Sequence, residues 1–129
     1  MALAELCPDL ASWPQHWHIE PADLSFGTQL VDCLTPFLLQ LLSQGRTRKT
    51  LQRHRDHVWM LGGELIRRRH DNPDLRRHGA EALLLQLLDD DCGPLIWPRI
   101  SEQQQNVIDA TCRQLYRFLI DSSLQPNTQ

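Results

Sequence analysis

Apolar residues recur at three- and four-residue spacing along most of this chain, and this pattern constrains the fold more than any other feature. One such stripe consists of Leu30, Leu34, Phe37, Leu38, Leu41 and Leu42. A second stripe repeats every seven residues, at Leu51, Val58 and Leu65. Residues at these spacings share one side of an α-helix, which turns by about 100° per residue. Leucine is abundant and β-branched residues are few, so the sequence predicts an all-α protein.

Turn and capping residues predict where the two long helices begin and end. The first helix is expected over residues 26–44, and Gly45 follows it as a glycine that ends a helix. Pro36 lies inside this pattern and predicts a kink or a break near Thr35. The second helix is expected to begin at Thr47, a good N-cap residue, and to continue to His70.

Two glycines interrupt the second helix and carry a packing prediction. Gly62 and Gly63 together cost about 2 kcal/mol relative to two alanines inside a helix. Gly62 lies on the same side of the helix as Leu65. We therefore expect another helix to approach closely at Gly62.

The remaining elements are shorter or lie towards the C-terminus. Asn72 and Pro73 predict a capped turn, and a short helix follows over residues 79–89. The last helix is expected to begin at Ser101, which forms a capping box with Gln104.

A chain of 129 residues fits one domain with a sizeable core. Residues 1–25 contain Pro, Trp and His without helical periodicity, and we expect an irregular N-terminal arm that packs through Trp13 and Trp17. Residues 26–121 are expected to form a single domain of four to five helices, and residues 122–129 a disordered tail.

Several functional classes are disfavoured by composition. The N-terminus lacks a basic segment followed by a long apolar stretch, and the apolar runs are too short to span a bilayer. We therefore expect a cytoplasmic protein without membrane contact. The four cysteines fit no zinc spacing, and His16 and His18 lack a third ligand. We expect neither a metal nor another cofactor.

Catalysis is also not expected. His54 and His57 are three residues apart and Asp56 is adjacent, yet this pattern lacks the spacing and the glutamate of a zinc protease helix. No nucleophile with a base partner and no glycine-rich phosphate loop is apparent. The sequence predicts a non-catalytic module.

Charge is distributed very unevenly. The net charge is −3, yet residues 46–78 contain ten of the 13 Lys and Arg residues, and residues 1–45 contain none. We name Arg46, Arg48, Lys49 and Arg53 the basic cluster, and no acidic residue lies among them. Cations at a helix N-terminus oppose the helix dipole, whereas an external anion is favoured there. The cluster therefore predicts contacts with phosphate, to which Thr50 and His57 are expected to contribute.

Two segments resemble a known family. The segment GRTRKTLQRHRDHVWML is similar to the N-terminal core-binding, SAM-like domain of tyrosine recombinases and phage integrases. Thr50 stands where that family has a Thr near a helix start, and His54-Arg55 takes the place of its aromatic-Arg pair. The segment TCRQLYRFLI is similar to the family's last helix, through Arg113, Tyr116, Phe118 and Leu119.

The resemblance covers residues 26–121 and implies a SAM-like bundle whose second and last helices clamp duplex DNA. It thereby adds Arg113 and Arg117 to the candidate contacts. No segment matches the family's catalytic domain, and we interpret Tyr116 as a packing residue, so no recombinase activity is implied. The segment LGGELIR is also similar to small bacterial proteins near mobile elements, which implies an association with such an element.

A protein-interaction module or an oligomeric scaffold that binds no nucleic acid is the alternative. Trp59, Met60 and Trp97 are apolar residues in otherwise polar surroundings and are candidates for an exposed patch. The acidic first and last thirds of the chain would repel DNA over much of the surface. Partners of this second kind would be another protein or a further copy of the chain.

Overall fold

The computed structural model describes residues 1–124, and these residues are all-α without a strand. The α-helices are α1 Leu3–Leu6, α2 Trp13–Trp17, α3 Asp23–Ser43, α4 Arg48–Asp71, α5 Ala80–Leu87 and α6 Glu102–Leu124. Two 3₁₀ helices cover Leu10–Ser12 and Pro73–Arg77. The predicted fold class is confirmed.

The ends of the long helices follow the predicted capping residues. The side chain of Thr47 accepts a hydrogen bond from the backbone N–H of Thr50 at 3.2 Å and caps α4. Gly45 follows α3 with a φ of +69°, a left-handed conformation that glycine adopts without strain. Ser101 and Gln104 exchange two hydrogen bonds, of 2.9 and 3.0 Å, as a capping box before α6.

Of the kink or break predicted near Thr35, the break does not occur. Helix α3 continues through Pro36, which is exposed, while its other side buries Leu34, Phe37 and Leu38. These buried side chains lie before and after the proline. Their packing holds both halves of the helix in place although one backbone hydrogen bond is lost.

The prediction of an irregular N-terminal arm is wrong. Residues 1–25 contain α1, a 3₁₀ turn and α2, and α3 begins within them at Asp23. Each of the first three elements is only three to five residues long, which is too short to show helical periodicity. Pro14 in the first turn of α2 was a local signal, because proline is tolerated there.

The chain divides into two compact units, Met1–Leu83 and Leu84–Gln129, rather than the single domain that was predicted over residues 26–121. The N-terminal segment belongs to the first unit. Helix α6 reaches Leu124, so residues 122–124 are helical and not part of a disordered tail. The rest of that predicted tail, residues 125–129, lies outside the described residues.

Close packing of α2 on α4 defines the centre of the first unit. Gly62 of α4 faces the buried indole of Trp17, so the prediction that another helix approaches Gly62 is confirmed. The indole N–H of Trp17 donates to the backbone carbonyl of Trp59 at 2.9 Å. Pro14 of α2 also lies close to Gly27 of α3, where an added Cβ atom would be 2.9 Å from Cβ of Pro14.

A buried ion pair joins α3 to the end of α4. Arg69 donates to Asp23 at 3.2 Å, and its guanidinium lies 4.0 Å from the centre of the Phe26 ring. The Asp23 carboxylate also accepts the backbone N–H groups of Ile19 and Glu20, both at 3.0 Å. These additional bonds offset the cost of burying two charges.

In the second unit, a buried glutamine fixes the connector before α6. The Gln105 side chain accepts the N–H groups of Ile96 at 2.8 Å and Trp97 at 2.9 Å. Its amide nitrogen donates to the carbonyl of Pro94 and to Asp109. The side-chain amide thereby takes the place of the regular hydrogen bonds that this loop lacks.

Candidate nucleic-acid interface

The short connection between α3 and α4 positions the basic cluster. Four residues, Gln44 to Thr47, separate the two helices, and the cap at Thr47 sets the first turn of α4. Arg48 and Lys49 occupy the first two positions of that turn, and their backbone N–H groups have no acceptor among residues 1–124. The start of α4 therefore combines two exposed cations with two free amide donors, an arrangement that favours an anion.

The basic residues of positions 46–78 divide into two groups. Six of the ten form ion pairs with carboxylates, namely Arg55, Arg67, Arg68, Arg69, Arg76 and Arg77. The other four are the basic cluster, and none of them contacts a carboxylate within the described part of the chain. Asp56 forms its ion pair with Arg55, at 3.0 Å, and not with Arg53.

Arg46 is fixed by neutral partners only. Its Nε donates to the Gln44 side-chain oxygen at 2.9 Å, and its Nη1 donates to Nε2 of His54 at 3.1 Å. Arg46 is half-buried, whereas Arg48, Lys49 and Arg53 are exposed. The guanidinium charge of Arg46 is thus oriented and remains uncompensated.

His54 is buried and only 4% exposed. Burial, followed by the positive charges of Arg46, Arg53 and His57, lowers the pKa of His54 to about 4. The ring is therefore neutral at physiological pH. The sequence did not predict the contact of His54 with Arg46, because that contact spans the turn and two turns of helix and leaves no local signal.

Two of the predicted contacts have constraints of their own. The hydroxyl groups of Thr50 and Thr47 are 3.0 Å apart, so Thr50 already takes part in the helix cap. His57 is half-buried, and burial together with Arg53 lowers its pKa. At neutral pH, His57 therefore offers a hydrogen bond rather than a charge.

Arg113 and Arg117 belong to the second unit, on α6. Arg113 donates to the backbone carbonyl of Asp91 at 2.9 Å, and Arg117 is exposed. Five of the eight candidates thus lie within residues 48–57 of α4 and Arg46 lies in the connection just before it, whereas Arg113 and Arg117 belong to the other compact unit.

The apolar residues of the alternative interface belong to different compact units. Trp59 is 43% exposed on α4, Met60 beside it is half-buried, and Trp97 is 45% exposed in the second unit. Trp59 borders an open cleft of about 300 Å³ that Asp9 and Arg55 also line. Arg55 and Asp9 are 3.0 Å apart, so these charges compensate each other.

Comparisons with protein-family models, with curated proteins and with solved structures find no match to this chain. Among residues 1–124, no three His, Cys, Asp or Glu side chains are grouped closely enough to hold a metal ion. No helix in the same residues combines the length and the apolarity that crossing a membrane requires.

Proposed function

We propose that this protein binds the backbone of duplex DNA through the turn and helix at residues 46–57. Arg46, Arg48, Lys49 and Arg53 make the phosphate contacts, and Thr50 and His57 add hydrogen bonds. The observation that carries this proposal is the division of the basic residues at positions 46–78, because among these ten residues only the four of the basic cluster have no carboxylate partner in the described part of the chain.

Phosphate suits this site better than a protein carboxylate does. The free N–H groups of Arg48 and Lys49 and the helix dipole supply directional donors for a tetrahedral oxyanion, and the side chains supply charge. The acidic remainder of the chain limits affinity, since the net charge is −3. Binding is therefore expected to be weak, salt-dependent and nearly independent of base sequence.

The second unit and the biological setting extend the proposal. Arg113 and Arg117 on α6 are further phosphate contacts if α4 and α6 clamp DNA together, as the resemblance to core-binding domains implies. The separate resemblance of LGGELIR to small bacterial proteins near mobile elements implies an association with such an element, and no catalysis is proposed. Within this proposal the chain is a DNA clamp, and any strand cleavage belongs to another protein.

The test is a fluorescence-anisotropy titration of duplex DNA at several salt concentrations. Four phosphate contacts predict a slope of about −3 to −4 in log affinity against log salt. The double variant Arg48→Ala/Lys49→Ala should weaken binding and flatten the slope by up to about 2.

A matched control removes the same amount of charge from ion-paired residues. Arg76 lies 3.0 Å from Glu20, and Arg77 lies 3.9 Å from Asp74. The variant Arg76→Ala/Arg77→Ala should keep the wild-type slope. Absence of binding at high micromolar concentration, or equal effects of the two double variants, would refute the proposal.

Exposed tryptophans favour a protein-interaction module as the second candidate. Trp59 is 43% and Trp97 is 45% exposed, and large aromatic side chains often anchor protein interfaces. Sedimentation analysis of wild type, Trp59→Ala and Trp97→Ala tests the homo-oligomeric form of this candidate. A monomeric wild-type protein at high micromolar concentration would exclude that form.

A further inference from the structure

Resting on the proposed function, we propose that His54 is a positioning residue, which holds the Arg46 guanidinium in place as the anchoring phosphate contact. His54 itself does not touch DNA. Its role is to provide a fixed, uncharged acceptor for an arginine that would otherwise move freely on a surface turn.

The two acceptors that hold Arg46 are both neutral. The Gln44 oxygen and the His54 nitrogen bind Arg46 at 2.9 and 3.1 Å and carry no charge at neutral pH. Arg55 is held instead by Asp9, whose carboxylate compensates its charge. Neutral acceptors orient a guanidinium and leave its charge available, whereas carboxylates orient it and cancel that charge.

The contact with Arg46 fixes the protonation state of His54. A guanidinium only donates hydrogen bonds, so Nε2 of His54 must be unprotonated and the neutral ring must carry its proton on Nδ1. His54 is only 4% exposed on α4, so its ring has little freedom to move. The acceptor is therefore as rigid as the helix that carries it.

Arg46 keeps hydrogen-bond donors that a ligand can use. A guanidinium has five N–H donors. One on Nε and one on Nη1 are used internally, which leaves three for a ligand. An immobilised side chain has already lost the rotamer freedom that binding would otherwise remove, so Arg46 should contribute more affinity than the exposed Arg48 or Lys49.

A purely structural role for the contact makes a different prediction. In that case Arg46 only satisfies a buried nitrogen, and removing the contact would change the free energy of unfolding without changing DNA binding. Variants at position 54 that keep or remove the acceptor distinguish these cases. Glutamine retains a neutral acceptor oxygen, whereas leucine has a similar size and no acceptor.

The experiment combines anisotropy titrations on duplex DNA with urea unfolding for wild type, His54→Leu, His54→Gln and Arg46→Lys. His54→Leu should weaken DNA binding roughly 2- to 12-fold, because the Arg46 side chain is then no longer preorganised. The salt slope should not change, because the number of cations is the same. His54→Gln should bind within about twofold of wild type, since it restores an acceptor.

Arg46→Lys provides the second variant, in case His54→Leu does not fold. Lysine keeps the charge but cannot span both acceptors, so it should weaken DNA binding to a similar extent at an unchanged slope. If the wild type binds DNA and either His54→Leu or Arg46→Lys binds equally well, the role of His54 is overturned but the proposed function is not. Failure of wild type to bind DNA would overturn the proposed function and, with it, this inference.

A measurement without DNA tests the anchor directly. The ¹⁵N chemical shifts of the His54 ring at pH 7 report its tautomer. A neutral ring protonated on Nδ1 is expected, and the shift of unprotonated Nε2 should change in Arg46→Lys. A charged ring, or a proton on Nε2, would refute the proposed contact.

Discussion

The contact between Gly62 and Trp17 gives the sharpest test of how this chain is packed. A Cβ atom added at Gly62 would lie 2.6 Å from Cε2 and from Cη2 of Trp17, and closer still to Cζ2. Non-bonded carbon atoms prefer separations of about 3.5–4.0 Å. The variant Gly62→Ala therefore requires the indole or helix α4 to move by about 1 Å.

Displacing the indole of Trp17 would cost free energy. Its indole is 6% exposed, donates to the Trp59 carbonyl at 2.9 Å and lies against Trp13, with the ring centres 5.6 Å apart. Overpacking costs about 1–3 kcal/mol, and a lost buried hydrogen bond adds about 1–3 kcal/mol. Alanine recovers about 1 kcal/mol relative to glycine within a helix. A net loss of roughly 1–5 kcal/mol in the free energy of unfolding is expected.

The neighbouring glycine is the matched control. A Cβ atom at Gly63 would lie 3.5 Å from Cδ1 of Trp17, which is an ordinary contact. Gly63→Ala should therefore stabilise the protein by about 0.5–1 kcal/mol. Urea unfolding followed by circular dichroism measures both variants without depending on tryptophan fluorescence. If Gly62→Ala is as stable as Gly63→Ala, the close contact with Trp17 is wrong.

Two further predictions concern buried polar groups. In the folded state the pKa of His54 is about 4, below its ordinary value of 6.5. Between pH 4 and pH 6.5 the unfolded state therefore binds more protons than the folded state. Stability is lost as the pH falls from 6.5 towards 4. His54 should contribute roughly 2 kcal/mol to the loss of stability between pH 7 and pH 5, and His54→Gln should remove this contribution; equal pH dependence of urea unfolding in both proteins would contradict this. Gln105→Leu leaves the N–H groups of Ile96 and Trp97 without their acceptor and should cost about 2–4 kcal/mol in urea unfolding, whereas the exposed Gln103→Leu should cost little. Amide exchange at Ile96 and Trp97 should accelerate in the Gln105 variant, and unchanged exchange would show that the glutamine does not hold the connector.

The long helices were predictable because their signals are local. The cap at Thr47, the left-handed Gly45 and the box at Ser101 each depend on residues within four positions of one another. The short helices α1 and α2 were missed because one turn of helix carries no periodicity. Helix α3 is not broken at Pro36 for a related reason, since tertiary packing on both sides of a proline overrides a local preference.

Of the candidate site, the sequence could predict only that positive charges cluster there. The clustering of cations at residues 46–53 is visible in the sequence, but which cations keep their charge uncompensated is not. Two ion pairs that separate the groups, Arg55 with Asp9 and Arg69 with Asp23, join residues 46 positions apart. The partners of Arg46 were hidden likewise, because a buried histidine nitrogen gives no sequence signal that it accepts a hydrogen bond.

The positive charges at the two ends of α4 differ in their effect on stability. Those at the C-terminal end stabilise the fold, whereas those at the N-terminal end are the proposed DNA contacts. Arg68 and Arg69 at the C-terminal end agree with the helix dipole and contact carboxylates. Arg48 and Lys49 oppose the dipole and have no such contact in the described residues, so each should lower stability by about 0.3–1 kcal/mol. The variant Arg48→Ala/Lys49→Ala that weakens DNA binding should therefore unfold at equal or higher urea concentration than wild type. A variant that loses stability as well as affinity would show that these residues serve the fold, and the argument from uncompensated charge would fail.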